Sequence, residues 1–147
     1  MHILVVEDDG LQAESVVSGL KRAFPRAVVN LVETEHQFVT GIDQIKNDPP
    51  SVIVMDVMMR WTEPSTDMPP RPENVKRDGF YKAGFRCRDL LAQYKETKNI
   101  PLILYTVLEN EDLYMGDPDS FGTATYLRKD AELDSLVHTI RECTQMW

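Results

Sequence analysis

Five short apolar runs, most of them followed by a segment of helical periodicity, constrain this chain more than any other feature. The runs are residues 2–6 (HILVV), 27–32 (AVVNLV), 51–55 (SVIVM), 101–105 (PLILY) and 123–127 (TATYL). After the first, Ala13, Val16, Val17, Leu20, Ala23 and Phe24 recur at helical spacing until Pro25 stops the pattern. Phe38, Val39, Ile42 and Ile45 mark a second helix that ends before Pro49-Pro50. A third runs from Phe80 through Ala83, Gly84, Cys87, Leu90 and Leu91 to Tyr94, and a closing one carries Leu133, Leu136, Val137, Ile140 and Cys143. The segment 107–122 is a poor helix, interrupted by Gly116 and Asp117-Pro118. Apolar runs without alternation fit strands buried on both faces. Parallel strands need crossover connections, and right-handed crossovers put helices on both faces of the sheet. The pattern predicts an α/β fold: a doubly wound, five-stranded parallel sheet covered by helices.

The 147 residues are about one domain's worth, enough for one ordinary core, so 1–147 is expected to be a single domain. No run of 18 or more apolar residues and no basic-then-apolar leader is present, which predicts no membrane span and a cytoplasmic protein. The net charge of −8 and pI near 4.8 argue against gripping nucleic acid, which needs a surplus of Lys and Arg on one face. Cys87 and Cys143 are too few for a zinc site or a disulfide framework and are expected to be reduced structural thiols.

In a doubly wound sheet, ligands sit beyond the carboxyl ends of the strands where strand order reverses. The residues just past strands one, three, four and five are Glu7-Asp8-Asp9, Asp56, Thr106 and Lys129. Singly, each has a bland explanation: a helix cap, a strand terminator, a turn hydroxyl, a surface charge. Together they bring acids, a nucleophile candidate, a hydroxyl and an ammonium to one rim, as phosphoryl transfer to a carboxylate requires. Crowded carboxylates repel, at roughly 4 kcal/mol for two unit charges 4 Å apart at an effective dielectric near 20, and a divalent cation relieves this. Oxygen-only ligands favour Mg²⁺. Asp56 is then the nucleophile, Lys129 spreads the transition-state charge, and the Thr106 hydroxyl bonds the product phosphoryl.

ILVVEDD at 3–9, VIVMD at 52–56, PLILYT at 101–106 and YLRK at 126–129 resemble the receiver domain of two-component response regulators, over nearly the whole chain. The resemblance implies a flavodoxin-like strand order, 2-1-3-4-5, and a protein that catalyses only its own phosphorylation and dephosphorylation rather than a conventional enzyme. It implies Asp56 as phosphoacceptor, Glu7 and Asp8 as the acidic pair, and a metal shell of Glu7, Asp8, Asp56 and the Met58 carbonyl, with Asp9 less suited as third acid. It further implies a switch in which Thr106 moves toward the phosphoryl and Tyr126 turns inward; otherwise Tyr126 is an ordinary strand-five aromatic. The implied partners are a histidine kinase or phosphotransfer protein and a downstream output protein, the chain being a monomer or a phosphorylation-dependent homodimer.

The chain also departs from the family pattern. Asp130 follows Lys129 where the family usually has proline, and a trans peptide is expected there because a non-proline cis bond costs about 2.5–4 kcal/mol. Val107 stands where a small residue is favoured and could narrow access to the phosphoryl. The weak fourth helix puts in doubt a dimer face built from helix four, strand five and helix five. The aperiodic span 57–78, with Pro64, Pro69, Pro70 and Pro72, exceeds the roughly 12–15 residues beyond which structureless loops are uncommon. It reads as an insertion that the fold does not need: a lid or docking element carrying Met58, Met59 and Trp61, or else a mobile spacer. The alternative function is an unphosphorylated pseudo-receiver acting as an interaction module. A phosphatase or metal nuclease is disfavoured because Met58 stands where such enzymes need a second Asp.

Overall fold

The structure, a computed structural model, describes residues 1–64, 66–107, 124–129 and 132–145. Strands β1 (His2–Val6), β2 (Val28–Val32), β3 (Val52–Met55), β4 (Leu102–Thr106) and β5 (Thr125–Arg128) form one all-parallel sheet in the order β2-β1-β3-β4-β5. The helices are α1 (Gly10–Ala23), α2 (Glu35–Thr40), α3 (Ile42–Asn47), α4 (Glu73–Asp78), α5 (Ala83–Ala92) and α6 (Asp134–Thr144), with a 3₁₀ turn at Phe80–Lys82. Both the doubly wound sheet and the strand order match the expectation.

The strands alternate their side chains between two apolar layers. Leu4, Val6, Ile53, Met55 and Leu104 meet Phe38 of α2, Ile45 of α3 and Cys87 and Leu91 of α5 on one face. Ile3, Val5, Val54, Ile103 and Tyr105 meet Val16 and Leu20 of α1 and Leu136 and Ile140 of α6 on the other. The three central strands are buried along their length except at His2, whereas edge strand β2 exposes Val28 and Leu31. Burial pushes the Cys87 thiol well up, so this core cysteine stays protonated.

Three local differences from the sequence reading have identifiable causes. The second helix breaks at Gly41, whose N–H closes α2 on the Gln37 carbonyl, while the Thr40 hydroxyl donates back to His36 O. The third helix is α-helical only from Ala83, its first turn Phe80–Lys82 being 3₁₀, and Gly79, at φ 70°, separates that turn from the preceding helix through a conformation that side chains disfavour.

The third difference is the 57–78 span, which is woven into the fold rather than laid over it. Met59 is buried, and Trp61 is only 8% exposed, its indole N–H donating to Pro69 O at 3.2 Å. The carbonyls of Arg60 and Trp61 accept the Glu35 and His36 N–H groups at 3.1 and 2.9 Å, covering the start of α2. Helix α4 then anchors the span through buried Val75. The weak fourth helix, and with it that part of the dimer face, lies outside the described residues, as does Asp130 and hence the Lys129-Asp130 peptide.

Candidate functional site

The sheet ladder sets the site's backbone. Val6 pairs with Met55, and one step on the Asp56 N–H donates to Val6 O at 3.0 Å. The Glu7 N–H likewise continues onto Val32 O at 3.0 Å, and the Lys129 N–H onto Thr106 O at 2.8 Å. Glu7, Asp56 and Lys129 are thus the first residues past their strands, fixed by backbone hydrogen bonds before any side-chain contact is considered. Chain separations of 73 and 122 residues collapse into one cluster.

Lys129 Nζ lies 3.1 Å from Asp56 Oδ2 and also donates to Glu7 Oε1 and Gln12 Oε1. The side chains of Lys129 and Asp56 are each 11% exposed and that of Glu7 4%. The other Asp56 oxygen, Oδ1, accepts the Val57 N–H at 2.7 Å and the Met58 N–H at 3.4 Å, which orients the carboxylate. Asp8 completes the cluster: Glu7, Asp8 and Asp56 each bring an oxygen within 4.8 Å of the others. Asp9 is occupied elsewhere, capping α1 by accepting the Gln12 N–H at 3.0 Å.

Three carboxylates face two cations. Besides Lys129, Arg60 reaches Asp8 Oδ2 through its backbone N–H at 2.9 Å and its guanidinium Nε at 3.4 Å. One negative charge is left over, and it shows in Glu7. Burial, and then the neighbouring charge of Asp56, push its pKa up to about 7 despite the opposing pull of Lys129. Burial works against the Lys129 charge, but Asp56 and Glu7 outweigh it and raise that pKa. An all-oxygen donor set with surplus negative charge fits a hard divalent cation.

Thr106 is fully buried at the end of β4, beside Lys129 through its own carbonyl. Tyr126 pairs with Leu104 in β5 and packs, half-buried, on the α2/α5 layer. Met58 stays partly exposed next to Asp56, and Val107 is exposed along a shallow surface shared with Lys129.

Sequence reasoning missed several residues. Gln12 shares Lys129, and Arg60 holds Asp8. Glu35 at the start of α2 makes a bidentate pair with Arg86 of α5, both bonds at 2.7 Å. At Gly84 an added Cβ would fall 2.7 Å from Asp56 O and 2.8 Å from Val57 Cα. That close approach of α5 to the Asp56 loop, sealed by the Gly84 N–H to Val57 O at 2.8 Å, requires glycine. Gly84 alone had a visible signal, as a glycine inside a helical apolar stripe.

No protein-family model and no curated protein sequence matches the chain. Solved structures do. The signal receiver domain of a DNA-binding response regulator (merR) from Colwellia psychrerythraea 34H superposes with a TM-score of 0.69 at 21% identity, covering 99% of each chain. The Mn²⁺-bound form of response regulator Rcp1 gives 0.63 at 20% identity, covering 99% of this chain and 93% of that one. The beryllofluoride-activated NtrC4 receiver domain dimer gives 0.65 at 18%, covering 98% and 96%. The chain therefore has the fold of the response-regulator receiver domain over nearly its whole length. Identities this low carry the fold alone; the chemistry has to be argued from the site.

Proposed function

We propose that this chain is a phosphoacceptor receiver, a cytoplasmic signalling domain rather than a conventional enzyme, which takes a phosphoryl group onto Asp56. The donor is a phosphohistidine on a kinase or phosphotransfer protein, and the change is read by an output partner or a second copy of the chain. The observation that carries this reading is the approach of Lys129 Nζ to Asp56 Oδ2 at 3.1 Å, with Glu7 and Asp8 in the same cluster.

Asp56 Oδ1, held by two backbone N–H groups, fixes the carboxylate plane, and Oδ2 is the oxygen that bonds phosphorus as the P–N bond to the donor imidazole breaks. Lys129 then exchanges Oδ2 for a phosphoryl oxygen. The Thr106 hydroxyl bonds another, and Tyr126 follows it inward, so the two states differ in affinity for the phosphoryl. Glu7, Asp8, Asp56 and the Met58 carbonyl would hold Mg²⁺, which supplies neutralising charge to the phosphoryl oxygens.

The test is intact-mass analysis after treatment with acetyl phosphate and Mg²⁺. One phosphoryl should add, and Asp56→Asn should abolish it; an unchanged addition in the mutant overturns the reading. One observation favours a pseudo-receiver instead: Arg60 and Lys129 already offset most of the cluster's charge from within the chain. Failure of any donor to add a phosphoryl would select that reading.

A further inference from the structure

We infer that the cavity between the Arg60–Pro64 stretch, α4 and the Gly79 turn is a binding site for a small organic anion: an apolar, ring-sized body carrying one acidic group. The inference is independent of what happens at Asp56. The cavity has a volume of about 400 Å³. That lies within the roughly 300–1,000 Å³ of small-molecule sites and is too small for a folded peptide element.

Its lining sets the charge of the occupant. Arg60, Arg71, Lys76 and Arg86 face it, and the single acid there, Asp8, is already held by Arg60. Four cations gathered in one cavity of a chain whose net charge is −8 run against the average field of the molecule. Acids of the chain offset three of the four in part: Arg60 meets Asp8 and, at 3.0 Å, Glu63, while Arg86 meets Glu35 and Lys76 meets Glu73. Glu35 spends both oxygens on Nε and Nη2 of Arg86, and Glu73 reaches Lys76 only at 3.7 Å from an exposed position. Arg71 pairs with no acid among the described residues.

The polar accounting points the same way. Arg86 is nine-tenths buried, yet its Nη1 has no hydrogen-bond partner, and neither does the buried Thr62 hydroxyl. These are two of the three such atoms among the described residues, and both residues line this cavity. Buried donors are rarely left unmade, since each costs about 1–3 kcal/mol. The remaining walls are apolar: Trp61, Met68, Val75 and Phe80. Cations with unspent donors on one side and aromatic and thioether surface on the other suit an aromatic carboxylate, sulfonate or phosphate.

The experiment uses the whole chain without divalent cations and two fluorescent probes sharing one body, 8-anilinonaphthalene-1-sulfonate and its neutral counterpart N-phenyl-1-naphthylamine. The sulfonate should bind at one saturable site, about tenfold or more tighter than the neutral probe, as expected for at least one charge-assisted contact. Arg71→Gln and Lys76→Gln, both at exposed positions, should each weaken it about threefold or more with circular dichroism unchanged. Met68→Trp should block it by filling the cavity. Equal affinity for the two probes, no loss in either glutamine variant, or amide shifts that cluster away from Trp61 and Val75 would each overturn the assignment.

Discussion

Replacing Glu7 with glutamine should stabilise the metal-free protein at alkaline pH and leave it almost unchanged in acid. The folded-state pKa of Glu7 is about 7 against an ordinary 4.5, so between those values the folded state binds the extra proton. Stability from neutral Glu7 is fully present below pH 4.5 and is lost as the pH rises through 7. The shift of about 2.5 units corresponds to roughly 3 kcal/mol at pH 8, and to only a few tenths at pH 4.5. Glutamine mimics the neutral acid and keeps an oxygen for Lys129, so Glu7→Gln should gain most of that figure at pH 8. Urea melts of both proteins in EDTA, across pH 4.5 to 8, read it directly as a change in midpoint at constant slope. Adding Mg²⁺ at pH 8 should invert the order, because the ion stabilises the intact cluster by mass action and the variant lacks one ligand. If the two proteins lose stability in parallel from pH 4.5 to 8, Glu7 does not hold the surplus charge and the electrostatic account of the cluster is wrong.

Lys129→Met leaves two buried carboxylates without their shared cation and should cost about 3–5 kcal/mol at pH 8, measured by the same melts, with much of the loss recovered in acid. Gly84→Ala presses a methyl onto the backbone of Asp56 and Val57; it should cost about 1–3 kcal/mol and shift the amide resonances of Asp56 to Met58 more than those of α6. Trp61→Ala should destabilise by about 3–5 kcal/mol, since the ring is buried and its indole hydrogen bond is lost; a change under about 1 kcal/mol would restore the view of this span as a dispensable lid. Arg60→Ala removes a half-exposed competitor from Asp8, worth at most about 1 kcal/mol, so Mg²⁺ affinity by calorimetry should rise by no more than about fivefold.

What could be read in the sequence is what the strand ends dictate. Residues 3–6, 52–55 and 102–105 are buried on both faces, so their apolar runs are continuous and their ends unmistakable. Once the ends are known, parallel pairing brings Glu7, Asp56, Thr106 and Lys129 together with little further information. The 57–78 span gave no such signal. Helix α4 is six residues with one buried side chain, Val75, too short to show a period, and the anchors Met59 and Trp61 sit among prolines and polar residues. Arg60 to Asp8 and Arg86 to Glu35 join positions 52 and 51 residues apart, and no local pattern announces either pair.

These unannounced contacts change the account of the site. A rim made only of strand ends would carry three acids against one lysine. The added span brings a second cation to Asp8, and the same guanidinium lines the neighbouring cavity. Arg60 therefore belongs to two sites, and any anion that draws it toward the cavity leaves Asp8 with one compensating contact fewer. Under the phosphoacceptor reading, that change favours a cation at the acidic cluster. By linkage a cation bound there must favour the anion by the same factor, which a single surface pair limits to a few-fold.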